Sequence, residues 1–155
     1  MSETIRAFIA VDLNSAIKRT IEDIQNNLKK SDCTIKWVRP ENIHLTLKFL
    51  GDVNIKKIDP LTKTLANLFC NTKPIETQLT QLGAFPNINR PRILWVGLKD
   101  DRQKIIQLVK LLEETLDEIG FKKDQQPFSP HITIGRIRTP KNIPALTQAI
   151  SSYPL

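Results

Sequence analysis

Cysteine is scarce in this 155-residue chain: Cys33 and Cys70 are the only two, too few and too far apart for a disulfide framework or a CxxC metal knuckle. They read as reduced thiols of a cytoplasmic protein. Glycine is also thin, with five residues. None of them builds the GxxxxGK[ST] loop that cradles nucleotide phosphates or the GxSxG elbow of serine hydrolases. Long apolar runs are missing. No segment approaches the roughly 18 uninterrupted apolar residues of a membrane span. The short run from Ala7 to Val11 stops at Asp12, without the basic and long apolar regions of a signal peptide. Acid is in deficit, with 16 Asp+Glu against 23 Lys+Arg and a net charge of +7. That balance suits a polyanionic partner, and equally a basic surface kept for solubility.

At 40% hydrophobic and 25% charged residues, the chain is of a globular kind, and its length fits one domain or two small lobes. Strand-like and helix-like stretches alternate. Phe8 to Leu13 has strand length, and Asn14 is placed to cap a helix whose apolar residues Ile17, Ile21, Ile24 and Leu28 share one face. Thr34 to Val38 and Ile43 to Leu50 read as strands, the second ending at Gly51. Asp59-Pro60 predicts the start of a second helix, with Asp59 as its cap. Ile75 to Leu82 and Ile93 to Leu98 are expected strands around a turn-rich segment from Gly83 to Pro91. Asp100-Asp101 is expected to open a third helix that Gly120 ends. A strand from Ile132 to Ile137 and a short helix from about Pro144 to Ile150 complete the chain. The order β-α-β-β-α-β-β-α-β-α favours an α+β protein with helices packed on its sheets.

The chain has only two histidines, and each opens the same tetrad: His44-Leu45-Thr46-Leu47 and His131-Ile132-Thr133-Ile134. Each tetrad heads a predicted strand, so His and Thr share one sheet face while the aliphatic pair takes the other. A random His meets the pattern at about 1–2%, so its occurrence at both is well below the chance level of a short motif. Histidine holds or releases a proton near neutrality, and two of them can act as acid and base in one step. Phosphodiester opening uses such a pair directly. One neutral imidazole takes the proton of the attacking oxygen and one imidazolium protonates the departing oxygen. The hydroxyls of Thr46 and Thr133 would hold the non-bridging phosphate oxygens, and Arg136 is the best placed arginine to balance their charge. No HExxH or third ligand accompanies the histidines, so the residues supply no catalytic zinc site, and metal-free acid–base chemistry is the simplest reading.

At these residues the chain resembles the 2H phosphoesterase superfamily, named for its two His-x-Thr-x motifs. It is most similar to the RNA 2′,3′-cyclic phosphodiesterases, also called 2′-5′ RNA ligases. The likeness extends to Arg6-Ala-Phe-Ile-Ala10, to Trp37-Val-Arg-Pro-Glu-Asn-Ile-His-Leu-Thr-Leu-Lys-Phe-Leu-Gly51, to Phe85-Pro86 with Arg90-Pro-Arg-Ile-Leu-Trp95-Val-Gly97, and to Phe128-Ser-Pro-His-Ile-Thr-Ile-Gly-Arg136, in the family's order. The resemblance implies one bilobal domain over residues 1–155, of two pseudo-symmetric antiparallel lobes with outer helices and a central cleft, one motif from each lobe. It implies hydrolysis of an RNA terminal 2′,3′-cyclic phosphate to a 2′-phosphate without a cofactor, with His44 as proton donor and His131 as proton acceptor. The residues alone leave that assignment open. Reversal with a 5′-hydroxyl end would join RNA through a 2′-5′ linkage. Members of the family usually continue into a further strand, whereas this sequence stops at Tyr153-Pro154-Leu155, which predicts either a missing edge strand or a different final segment.

The implied partner is RNA with a 2′,3′-cyclic phosphate end, acted on by a monomer away from membranes. The alternatives are a related phosphodiesterase of small cyclic nucleotides or 2′-5′ oligonucleotides, and a non-catalytic RNA-binding module. The module reading suffers from the absence of an aromatic-rich RNP strand. Phe49, Trp37, Phe85, Trp95 and Phe128 could stack a base, but as residues in or beside strands they read as core and none is assigned to the site. Lys36, Lys48, Arg39, Arg90, Arg92 and Arg138 read as solvated charges that could line an RNA path.

Overall fold

The computed structural model describes residues 3–155. Six strands and four α-helices follow in the expected order. They are β1 (Thr4–Asp12), α1 (Ser15–Leu28), β2 (Ile35–Trp37), β3 (His44–Asn54), α2 (Ile58–Phe69), β4 (Leu79–Phe85), β5 (Ile93–Leu98), α3 (Lys104–Glu118), β6 (His131–Ile137) and α4 (Ile143–Ser152). The fold is α+β with two antiparallel sheets, as the residue pattern and the resemblance implied. The chain divides into two compact units.

Of the described residues, one unit holds 3–10, 46–76 and 100–129. Its sheet pairs β1 with β3, and the ladder is prolonged where Ile55 N–H donates to the Glu3 carbonyl. Ile9, Leu47, Val53 and Leu61 are buried with the apolar stripe of α3, formed by Ile105, Val109, Leu112 and Leu116. The spacing of that stripe is one helical face, and its burial drives the packing. Among these side chains sits Lys48, 3% exposed. Its ammonium donates to Glu113 Oε1 and Oε2 at 2.8 and 2.9 Å, to the Lys122 carbonyl at 2.9 Å and to Asp124 Oδ1 at 3.2 Å. A buried ammonium has three protons to satisfy, and this one satisfies them all.

The other unit holds residues 11–45, 77–99 and 130–155, with a four-stranded sheet in the order β2-β6-β5-β4, antiparallel throughout. Helices α1 and α4 bury Ile21, Ile24, Leu28, Leu146 and Ile150, while the sheet buries Leu94, Val96, Ile132 and Ile134. Gln25, a buried polar residue on α1, ties helix to sheet: its Nε2 donates to the carbonyls of Val38 and Ile134, both at 2.9 Å. Asn14 caps α1 as expected, its Oδ1 accepting from Ile17 N–H.

Several sequence expectations are corrected: β1 covers Thr4–Asp12 in place of Phe8–Leu13, and β3 does not end at Gly51 but runs on to Asn54. Asp59 does not cap α2: the helix starts at Ile58 behind a short 3-10 turn, and Asn54 accepts the free N–H of Lys56 there, leaving Asp59 in the first turn. The third helix starts at Lys104 and not at Asp100. Asp100 still caps it at a distance, its two oxygens accepting from Ile105 and Ile106 N–H across a turn in which Arg102 and Gln103 have positive φ. Strand β4 covers Leu79–Phe85 in place of Ile75–Leu82. Pairing begins only where Lys99 N–H reaches the Gln78 carbonyl and continues to Phe85, whose carbonyl accepts from Arg92 N–H. The turn between is correspondingly shorter, organised by Asn87 Oδ1 accepting from Asn89 and Arg90 N–H.

Candidate active site

Strand β6 carries the second tetrad through the middle of the four-stranded sheet. Ile132 and Ile134 are fully buried, while His131 and Thr133 are half-buried on the opposite face. This is the alternation that a strand imposes. Simple alternation would put Arg136, three residues beyond Thr133, on the core face. The register shows why it does not. Leu94 of β5 faces Gly135 and the next residue, Trp95, faces Thr133, so Ile134 is an extra residue in β6. Such a bulge shifts the phase by one. Ile134 and Gly135 are both buried and Arg136 emerges exposed, on the side of His131 and Thr133. Gly135 is required here: a Cβ would meet Ile35 Cγ2 at 2.8 Å and Trp37 Cε3 at 3.1 Å, on the core side.

On this outer face His131 is bounded by aromatic rings. Phe85 stands at 84° to the imidazole with centroids 5.0 Å apart, and Trp95 lies 6.2 Å away at 63°. Phe85 and Trp95 contact each other at 5.4 Å. Trp95 is seated over Gly83, its directly opposite partner on β4, so closely that a Cβ there would come within 2.2 Å of Cζ2. The indole Nε1 is buried without a hydrogen-bond partner among the described residues. Opposite His131 on β5 is Gly97, which places no side chain beside the imidazole. Phe85, 38% exposed, is therefore a neighbour of His131 and not core, contrary to the sequence reading. Trp95 joins it as half-buried packing next to the histidine. Composition could not reveal this; the small residues Gly83 and Gly97 opposite large neighbours were the available signal.

The first tetrad heads β3. Leu45 and Leu47 are buried, and His44 and Thr46 are half-buried, the same division as in β6. The strand is reached through Val38, whose N–H donates to the Ile134 carbonyl, and a 3-10 turn over Pro40–Asn42. The boundary between compact units passes through this tetrad, so both imidazoles belong to the unit of the four-stranded sheet, and Thr46 to the other. Asp12 lies near His44. Its exposed carboxyl is held below the usual carboxylate range, first by the hydrogen bond from Lys18 at 2.6 Å and then by Leu13 N–H, with the charges of Lys18 and His44 adding to the effect.

Elsewhere, a cavity of about 450 Å³ in the unit of the two-stranded sheet is lined by Phe49, Asp52, Lys57 and Phe121 among others, and by no residue of either tetrad. Phe49 there is 69% exposed, so it is not core either. Among the described residues no group of three or more His, Cys, Asp or Glu side chains comes together, and no helix is long and apolar enough to cross a membrane.

Comparison with known proteins bears on this arrangement. Residues 11–95 and 96–154 match the family model described as LigT like Phosphoesterase. The chain belongs to this family. Within the LigT-like phosphoesterases, it is similar to the RNA 2′,3′-cyclic phosphodiesterase of Methanocaldococcus jannaschii, with 36% identity over 149 residues, 96% of this chain and 81% of that protein. The corresponding protein of Methanothermobacter thermautotrophicus is 33% identical over 146 residues, 94% of this chain and 78% of the relative. Among solved structures, a Thermus thermophilus protein superposes with a TM-score of 0.77 at 26% identity, covering 88% of this chain and 76% of that one. Escherichia coli LigT complexed with 3′-AMP gives 0.68 at 29% identity, covering 86% and 74%.

Proposed function

We propose that this LigT-like phosphoesterase hydrolyses the 2′,3′-cyclic phosphate at an RNA end to a 2′-phosphate, with His131 as base and His44 as acid. The observation that carries the reading is the twin tetrad geometry. In each, buried aliphatics anchor the strand while His and Thr stand half-buried on the other face, and the β6 bulge adds Arg136 to that face. His131 takes a proton from water as its oxygen attacks phosphorus. The bond from phosphorus to the 3′-oxygen breaks, and His44 delivers a proton to that oxygen. The Thr46 and Thr133 hydroxyls and the Arg136 guanidinium stabilise the charge gathered on the non-bridging oxygens. With a 5′-hydroxyl in place of water as nucleophile, the same groups form a 2′-5′ phosphodiester as the bond from phosphorus to the 3′-oxygen breaks, and the strained cyclic phosphate provides the activation.

The names of the relatives support RNA as substrate. So does the charge distribution: the unit with both histidines holds 12 of the 23 Lys+Arg but only 5 of the 16 Asp+Glu, and so the whole net charge of +7. In this reading one chain supplies both imidazoles, so the reaction needs no second copy and a monomer suffices. The test is to incubate the protein in excess EDTA with an oligonucleotide ending in a 2′,3′-cyclic phosphate. Conversion to a 2′-phosphate is expected, with His44→Ala and His131→Ala each lowering the rate by about 10²–10⁴-fold. Turnover confined to small cyclic nucleotides would move the substrate class. RNA binding without turnover in the parent protein would make it a binding module.

A further inference from the structure

The four-stranded sheet contains an arrangement that folding alone disfavours. Lys36 of β2 is the directly opposite partner of Arg136 on β6. Both are exposed, and like charges directly opposite each other on a sheet face are destabilising. Arg138 lies beside this pair, further along the strand direction: its N–H donates to the Thr34 carbonyl, continuing the ladder, and two residues along a strand return to the same face, about 6.8 Å on. None of the three makes an ion pair with a carboxylate among the described residues. Arg136 and Arg138 continue, along β6 and just past its end, the line of His131 and Thr133, and Lys36 flanks Arg136 on the edge strand β2. Such uncompensated cations on one face make a site for a polyanion, and their spread over two adjacent strands suits neighbouring phosphates of one chain more than a single one.

We infer that Lys36 and Arg138 form a phosphate subsite for the RNA strand leading into the reaction centre, adjoining Arg136 at the reacting phosphate. This deepens the proposed function and rests on it for the identity of the ligand. Lys36 and Arg138 act as positioning residues: they touch the neighbouring backbone and carry no proton to the reacting phosphorus. They give the site a preference for an oligonucleotide end over a mononucleotide, without reading its sequence.

The experiment compares Lys36→Ala, Arg138→Ala and the double variant on two substrates, a 2′,3′-cyclic mononucleotide and a tetranucleotide ending in the same group. The double variant should lower kcat/KM on the tetranucleotide about tenfold more than on the mononucleotide. In parallel, a labelled RNA oligonucleotide with an unreactive 3′ end is titrated at several salt concentrations. Each lost phosphate contact should flatten the slope of log affinity against log salt by about 0.7. The thermal midpoint of Lys36→Ala should equal or exceed that of the parent, because repulsion from Arg136 is relieved. Equal losses on both substrates, an unchanged salt slope, or a lowered midpoint would overturn the inference. If the parent turns over neither substrate, the proposed function fails while the salt titration still decides whether the subsite exists.

Discussion

Gly83→Ala is the most informative single perturbation of the site, because it touches neither histidine. The added methyl would come within 2.2, 2.5 and 2.7 Å of Cζ2, Cη2 and Cε2 of Trp95. Ordinary carbon contacts lie near 3.5–4.0 Å, so the indole must withdraw by about 1.3 Å or the strands must part. Trp95 has little room to withdraw, since Phe85 packs at 5.4 Å and His131 at 6.2 Å. Overpacking of this kind costs about 1–3 kcal/mol. For a chain of this length each kcal/mol lowers Tm by roughly 2–4 °C, so a fall on the order of 5 °C is expected. A displacement near 1 Å at a reacting group costs about 10²-fold in rate, and part of the indole shift reaches the imidazole, so kcat/KM should fall by roughly 10- to 100-fold. Thermal unfolding and initial-rate hydrolysis measure the two effects. Trp95→Phe in the Gly83→Ala background should recover part of the lost stability, because the smaller ring leaves space for the methyl, and the coupling should exceed about 0.5 kcal/mol in a double-mutant cycle. A Gly83→Ala protein with unchanged Tm and full activity would refute the packing on which this reasoning stands.

Other predictions concern the scaffold. Lys48→Ala leaves the Glu113 carboxylate without its buried partner, and urea denaturation should report a loss of about 3–5 kcal/mol. Gln25→Ala strips the Val38 carbonyl of the donor that satisfies it and one of the two donors to Ile134, and should cost about 1–3 kcal/mol in the same assay. Asp12 has its folded-state pKa lowered. Its contribution to stability is therefore present above the unfolded carboxylate pKa and lost as pH falls through the folded value. Asp12→Asn should flatten the acid limb of a stability–pH curve. An acid limb unchanged by the substitution would contradict the Lys18 interaction.

Much of the fold was legible because periodicity carried it. The order of elements, the Asn14 cap and β5 follow from apolar spacing and capping chemistry alone, and so does the two-faced character of both tetrads. What escaped were features set by partners distant in sequence. Asp59 looks like a cap, but Asn54 reaches the chain first and starts the turn earlier. Strand β4 continues past Leu82 because Trp95 fills the space above Gly83, a contact no local window contains. Nearness to Thr133 in sequence does not by itself put Arg136 on the face of the imidazole, since an undisturbed strand would turn it to the core; the extra residue at Ile134 is what brings it to the side of His131 and Thr133. Phe85 was read as core because large aromatics in strands usually are, and only the sheet register exposes its place beside His131. The pairing of Lys36 with Arg136 is likewise a matter of register.

The pH dependence of kcat/KM, in the parent protein and in His44→Ala and His131→Ala, tests the paired-imidazole mechanism most directly. A bell-shaped profile in the parent, with each variant losing one limb as well as most of its rate, is the predicted result. A parent profile flat through neutrality, or a variant that keeps both limbs and its rate, would contradict it.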